Sequence, residues 1–401
     1  MKAAIISIGN ELLGGFSLDS NSTWIGRKLM DLGIRTTFKM SVRDSREDIV
    51  EALGIAGEKA DLIICTGGLG PTNDDVTKEA FCDFMGANLK FDKEYYGELV
   101  EKFDRRGLEI PDSNQVQAYI PDRGSVIPNP KGSALGIMFE KDETRYYVLP
   151  GVPMEMKTMM EEIVLPNLQG IVTQSLSVHT IRTTGIMESA LYDLLSDLVQ
   201  TSEIEVSFLP GFMGVDLRLT HTDPDAVTEF MSAVYDRAGD YVYGEDWETL
   251  EEVVGKLLRE NNVTVAAAES CTGGLLTDRL TNVPGSSDYV LGGVVTYSNE
   301  AKISILEVKK KTLEAEGAVS EETARQMAQG VRDRFQAQMG ISTTGIAGPG
   351  GATQEKPVGL TYIGLDFSGK RQVKRFIFSE NRRFNKELAA QAALNMLRLA
   401  I

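Results

Sequence analysis

Three short apolar runs, each stopped by a glycine-bearing loop, most constrain what this chain can fold into. Ala3-Ala4-Ile5-Ile6-Ser7-Ile8 is followed by Gly9, and Leu62-Ile63-Ile64-Cys65-Thr66 by Gly67-Gly68-Leu69-Gly70-Pro71. Val263-Thr264-Val265-Ala266-Ala267-Ala268 leads into Glu269-Ser270-Cys271-Thr272-Gly273-Gly274. Runs this short and this continuously apolar read as strands buried on both faces, which belong to largely parallel sheets covered by helices. Helical spacing supplies the covers. Over 22–32, Trp24, Ile25, Leu29 and Leu32 share one face and Gly33 follows as a stop. Ser320 is placed to cap a helix carrying Ala324, Met327, Ala328, Val331 and Phe335 on one face, with Glu321 and Glu322 suiting its dipole.

At 401 residues the chain exceeds what one core ordinarily organises, so two or three domains are expected. The βαβ rhythm of the first part predicts an α/β domain over 1–170. From 171 to 246 the runs shorten and alternate, as in Gly214-Val215-Asp216-Leu217-Arg218-Leu219, predicting a small α+β linking module. Strand-like Tyr241-Val242-Tyr243-Gly244 closes it, and Glu245-Asp246 before a helical stretch at 250–258 marks the last boundary. A second α/β domain is expected over 247–401, including a hairpin of strands 359–366 and 372–378 around Ser368-Gly369. There are no repeats and no low-complexity segments.

Composition excludes several functions. No apolar stretch approaches the length of a membrane span, and the N-terminus lacks the layout of a signal peptide. Cys65, Cys82 and Cys271 are too few and too scattered for a disulfide framework or a zinc knuckle, so a cytoplasmic protein is expected. A formal net charge of −17 argues against direct nucleic-acid binding, which needs a basic surface to displace counterions. Small phosphorylated substrates remain compatible with it. Only two histidines occur, His179 and His221, and neither stands in a motif. Acid–base chemistry must therefore use carboxylates, lysine, tyrosine or metal-bound water.

A serine between a buried strand and a helix start is well placed as a nucleophile, because backbone N–H groups there can hold an oxyanion or a phosphate. Gly273 and Gly274 would allow close backbone approach. Without histidine, Ser270 needs another base, and a lysine serves where burial keeps its amine partly neutral. Tyr297 and Lys302, in Thr296-Tyr297-Ser298-Asn299-Glu300-Ala301-Lys302, follow the apolar strand 289–295. A third glycine-rich strand end, Thr343-Thr344-Gly345-Ile346-Ala347-Gly348-Pro349, completes the pattern of an α/β binding cleft. The competing reading is that Ser270 only caps a helix and the glycines only turn the chain. Cys271, without a histidine in reach, reads as a buried structural thiol.

In the first domain, Gly67, Gly68 and Gly70 suit close approach to a phosphate. Asp74 and Asp75 beyond them, with Glu11 after the first strand, suit a hard divalent cation. An equally good reading makes Asp74 and Asp75 a cap for the helix containing Phe81 and Phe84.

Ala267-Ala268-Glu269-Ser270-Cys271-Thr272-Gly273-Gly274, the segment Tyr297 to Lys302, and Thr344-Gly345-Ile346-Ala347-Gly348-Pro349 together resemble the CinA family, specifically its C-terminal nicotinamide-nucleotide amidase domain. The resemblance implies that Ser270 attacks the carboxamide of nicotinamide mononucleotide, that Lys302 and Tyr297 activate it, and that Thr344, Gly345 and Arg382 bind substrate beside Thr272, Gly273 and Gly274. The family writes Gly-Asp-Arg where this chain has Glu380-Asn381-Arg382. Residues 1–170 resemble the molybdopterin-binding-like, three-layer domain at the front of CinA proteins, through the Gly67–Asp75 stretch, Asn129-Pro130-Lys131-Gly132-Ser133-Ala134 and Leu149-Pro150-Gly151-Val152-Pro153-Met154-Glu155. That likeness implies metal-dependent hydrolysis of ADP-ribose to AMP and ribose 5-phosphate, with Asp74, Asp75 and Glu11 at the metal and an unnamed divalent ion as the only cofactor. It further implies small nucleotide substrates and a homodimer. Two alternatives accompany this bifunctional reading: a nucleotide- or pterin-sensing front domain beside an active amidase, and a non-enzymatic competence or DNA-damage adaptor.

Overall fold

Ala3 and Ile5 pack into one buried cluster while Ala4, Ile6 and Ile8 pack into another, so the first strand is covered on both faces. This strand, β1 (Lys2–Ile8), is flanked by β2 (Arg35–Val42) and β3 (Leu62–Thr66), both parallel to it. The computed structural model describes residues 1–172 and 176–401. The expected boundary at 170/171 adjoins residues 173–175, which lie outside the described residues. Two compact units result, one of 1–178 with 221–224 and one of 179–220 with 225–401.

In the first unit the sheet continues through β4 (Ser125–Ile127), β5 (Gly136–Lys141) and β6 (Thr144–Leu149), in the order β2-β1-β3-β6-β5-β4. Helix α1 (Ser20–Asp31) contributes Ile25 and Leu29 to one face, and α2 (Arg46–Gly57) contributes Ile49, Ala52, Leu53 and Ala56 to the other. The expected three-layer α/β architecture is present. The sheet is not parallel throughout: β6 runs parallel to β3, but β5 pairs antiparallel with both β6 and β4. The local cause is a two-residue connection, Asp142-Glu143, with both φ angles positive at 49° and 67°. That geometry matches the twist of an antiparallel pair and forbids a crossover.

The second unit holds two sheets. One is four-stranded, with β7 (Ser177–Thr183), β8 (Glu205–Pro210), β9 (Val215–His221) and β10 (Val242–Glu245) in the order β8-β9-β7-β10. Helices Glu188–Thr201 and Pro224–Ala238 bury Leu191, Leu195, Val227, Phe230 and Val234 with it, an α+β arrangement. The other is five-stranded: β11 (Val265–Glu269), β12 (Val290–Val295), β13 (Met339–Gly345), β14 (Leu360–Phe367) and β15 (Lys370–Ile377), ordered β12-β11-β13-β14-β15. Residues of central β11 alternate between two cores, Val265 and Ala267 to one and Ala266 and Ala268 to the other. Its two neighbours are parallel to it, so the chain segments leaving β11, β12 and β13 emerge at one edge. The β14–β15 hairpin turns at Ser368-Gly369 with φ of 51° and 77°, as the sequence predicts. Among the described residues no helix is long and apolar enough to cross a membrane.

Candidate active site

Ser270 leaves β11 tied to its neighbour, its N–H donating to Thr343 O at 2.9 Å. The next residues form a turn that L-residues other than glycine resist: Gly273 has φ +61° and Gly274 +98°. Helix α4 (Leu275–Thr281) follows. Glu269, fully buried, folds its carboxylate over this helix start. Oε2 accepts from Gly274 N (2.9 Å) and Leu276 N (3.1 Å), while Oε1 accepts from Thr277 N (2.8 Å) and Thr277 Oγ1 (2.6 Å). The sequence reading assigned those helix-start N–H groups to an oxyanion or a phosphate. Three of them belong to Glu269 instead, and of the turn before them Thr272 is buried while the Gly273 backbone is exposed. Nor does Ser270 cap this helix, whose N-cap position is Gly274.

Lys302 comes from the neighbouring strand end. Ser298 caps α5 (Asn299–Leu306) by accepting from Ala301 N, and the helix carries Lys302 into the interior, where it is 1% exposed. Its Nζ lies 3.1 Å from Ser270 Oγ, 2.7 Å from Thr296 O and 3.4 Å from Tyr297 O. Among the described residues no carboxylate pairs with it, and burial holds its amine below the ordinary lysine value. A neutral amine has two N–H donors and one lone pair. The two carbonyls take the donors, and the lone pair then faces the serine hydroxyl. This is the geometry of a general base poised on a nucleophile.

The remaining expected residues divide. Thr272 is buried with its hydroxyl 2.7 Å from that of Thr343, so it fixes the turn. Thr344 is buried and donates to Ala318 O at 2.7 Å, and Gly345 packs directly on Thr361. Tyr297 touches Lys302 only through its carbonyl; its exposed phenol accepts from Arg382 Nη2 at 2.9 Å. Arg382 also donates Nη1 to Gly348 O at 2.7 Å. The departure at Glu380-Asn381-Arg382 preserves this placement, because Asn381 caps α7 (Arg382–Arg398) by accepting from Arg383 N and Phe384 N, as an aspartate would. Burial pushes the Cys271 thiol up to about 12, which makes it inert at neutral pH. Both histidines are structural or surface groups, His179 beside Asp246 at 3.6 Å and His221 accepting from Asp223 N at 3.1 Å.

In the first unit, Gly67 and Gly68 have positive φ, and a methyl on either would lie 2.1 Å from Ile8 O or Thr77 Oγ1. A cavity of about 140 Å³ opens beside them, lined by Ser7, Glu11, Asp19, Asn21, Thr66 and Gly151 among others. Asp75 folds back onto its own loop, accepting from Thr72 N at 2.9 Å and Thr72 Oγ1 at 2.5 Å, and lies against Gly70. Asp74 is exposed. Neither caps α3 (Thr77–Met85), which begins without a side-chain cap, so the alternative reading of the pair as a helix cap is corrected. Asp44, missed in the sequence, belongs to the same edge: desolvation raises its carboxyl, and Glu11, Asp74 and Asp75 raise it further. Among the described residues, no three carboxylate, histidine or cysteine side chains gather closely enough to hold a metal ion. Glu11, Asp44, Asp74 and Asp75 thus share an edge without closing a ligand set of their own, and a hard cation there would need oxygens from a bound phosphate. Behind the loop, Lys78 is buried and donates to Val116 O at 3.0 Å, with Gln117 O and Tyr119 O at 3.5 and 3.4 Å. Burial lowers its amine to about 8.

Comparison with known proteins adds family relationships to this geometry. Residues 247–401 match the CinA C-terminal domain, 4–170 a probable molybdopterin binding domain, and 178–244 the damage-inducible protein CinA KH domain. A protein of Caldicellulosiruptor bescii named as competence-damage inducible is 42% identical over 409 residues, covering 100% of this chain and 99% of its own. A CinA-like protein of Salinibacter ruber is 42% identical, covering 99% of each chain. Among solved structures, the competence/damage inducible protein of Agrobacterium tumefaciens is 37% identical with a TM-score of 0.36, covering 38% of this chain and 96% of its own.

Proposed function

This chain belongs to the CinA family, and from that premise we propose that its residues 247–401 hydrolyse nicotinamide mononucleotide to nicotinic acid mononucleotide and ammonia. One observation carries the reading: a buried amine, without a carboxylate partner among the described residues, lies 3.1 Å from the hydroxyl of Ser270. Neutral Lys302 takes the Ser270 proton as Oγ bonds to the carboxamide carbon. The resulting oxyanion faces the Thr272–Gly273 backbone. Lys302 returns the proton to the departing nitrogen, the C–N bond breaks, and ammonia leaves an ester on Ser270. Water, deprotonated by the same amine, cleaves that ester and releases the carboxylate product. Ser270→Ala should release no ammonia from nicotinamide mononucleotide, and near-parental release would refute the assignment.

For the first unit, the glycine loop and the small cavity beside it support binding of a phosphorylated nucleotide, with ADP-ribose as the candidate ligand. Calorimetric titration with ADP-ribose should show binding that Gly68→Ala abolishes. The same samples are assayed for AMP with and without divalent cations. Cation-dependent AMP release that Asp75→Asn removes would replace binding with hydrolysis as the function of this unit.

A further inference from the structure

Lys386 lies one helical turn beyond Arg382 on α7, on the same face. A methyl group placed on Gly273 would be 3.5 Å from its Nζ, so the ammonium stands directly over the turn that follows Ser270. Gly273 is exposed and Lys386 half-buried. Arg382 is held by Gly348 O and the Tyr297 phenol. Among the described residues, neither cation has a carboxylate partner. This is unusual in a chain of net charge −17, where the adjacent Arg383 is paired with Glu387 at 3.1 Å. Two cations without carboxylate partners at the mouth of a nucleophilic site form a binding position for an anion on the substrate.

We propose that Lys386 is the specificity-determining residue that recognises the phosphate of the substrate, selecting a nucleotide over the corresponding nucleoside. Arg382 is tied to the protein through two of its donors, whereas among the described residues no group accepts from the Lys386 ammonium, which leaves its three N–H groups for phosphate oxygens. The ammonium acts as a point charge, so it holds the phosphate without fixing its rotation. The inference rests on the amidase reading and deepens it: the carboxamide goes to Ser270 and the phosphate to Lys386.

The test compares the full chain with Lys386→Met and Lys386→Arg, measuring ammonia from nicotinamide mononucleotide and from nicotinamide riboside, which carries the same carboxamide without phosphate. Lys386→Met should raise KM for the mononucleotide about ten- to hundredfold, the worth of one charge-assisted contact. It should leave kcat nearly unchanged and KM for the riboside unmoved, and Lys386→Arg should recover most of the loss. An equal shift for both substrates, or an unmoved KM for the mononucleotide, overturns the proposal. Failure of the amidase reading shows separately, as no ammonia from either substrate with the parent protein. Calorimetric titration then decides: mononucleotide binding lost in Lys386→Met upholds the inference, and equal binding by parent and variant overturns it.

Discussion

Glu269→Gln isolates the clamp beneath the nucleophile. The glutamine side chain has the same shape but one oxygen becomes an NH₂ donor. If the amide nitrogen takes the Oε2 position, it faces the N–H groups of Gly274 and Leu276, and both are orphaned. In the Oε1 position it faces Thr277 N–H and the Thr277 hydroxyl, which can rotate to accept. The second arrangement orphans one buried donor, costing about 1–3 kcal/mol, and weakens two charge-assisted bonds to neutral ones, roughly 1 kcal/mol each. The total, roughly 3–5 kcal/mol, corresponds to a fall in Tm of about 6–20 °C for a cooperative unit of this size. Scanning calorimetry of parent and variant reads the shift. Ammonia release should fall with it, because the Ser270 turn is held from below by this carboxylate. A Tm within about 2 °C of the parent, with unchanged turnover, would refute the reasoning, since such a shift is worth at most about 1 kcal/mol.

Four further outcomes are expected, three at the serine site and one in the first unit. Lys302→Met should lower ammonia release by about a thousandfold or more, and Lys302→Arg should not restore it, since guanidinium stays charged at any working pH. In the parent, turnover should rise with pH through the amine's lowered value, which lies beneath the ordinary 10.5. Cys271→Ala should keep most of the parental activity, because a thiol held near 12 contributes no nucleophile; loss of activity in a folded variant would reassign the attack. For Lys78 the unfolded chain binds the extra proton between about 8 and 10.5, so stability gains from this group as pH rises through that window. Denaturant titrations at pH 8 and pH 10.5 should show parent stability rising relative to Lys78→Met by up to about 3 kcal/mol, and parallel behaviour would contradict the burial of that amine.

The layers were legible because β1 and β11 carry continuous apolar runs, Ala3 to Ile6 and Val265 to Ala268, a pattern that strands covered on both faces need. The Ser270–Lys302 pairing was legible through the resemblance of three strand-end motifs to a known family; the lack of a histidine in a motif only narrowed the choice of base and left the helix-cap reading of Ser270 standing. Other features were hidden by chemistry that sequence spacing does not display. Glu269 ends a strand, where a glutamate ordinarily reads as solvated; its burial follows from four donors converging after the chain reverses. The Tyr297 phenol was expected beside the serine, but its orientation depends on Arg382, distant in sequence. Asp74 and Asp75 read equally as metal ligands or caps, and the loop resolves this differently by turning Asp75 onto Thr72. Asp44 carried no signal, because its place beside that loop is set by the register of β2 on β1.

The carbonyls that hold Lys302 belong to Thr296 and Tyr297, from the same short stretch of chain as the lysine itself. The base and its harness thus form a self-contained cartridge, seated beside the serine by the pairing of β12 with β11 and by Leu306 packing among Met327 and Val331. Sequence drift elsewhere in the sheet can alter how firmly the cartridge is seated without changing how it is wired. Proton transfer should therefore outlast considerable divergence in the surrounding scaffold, while a change to the path of 296–302 would disable it at once.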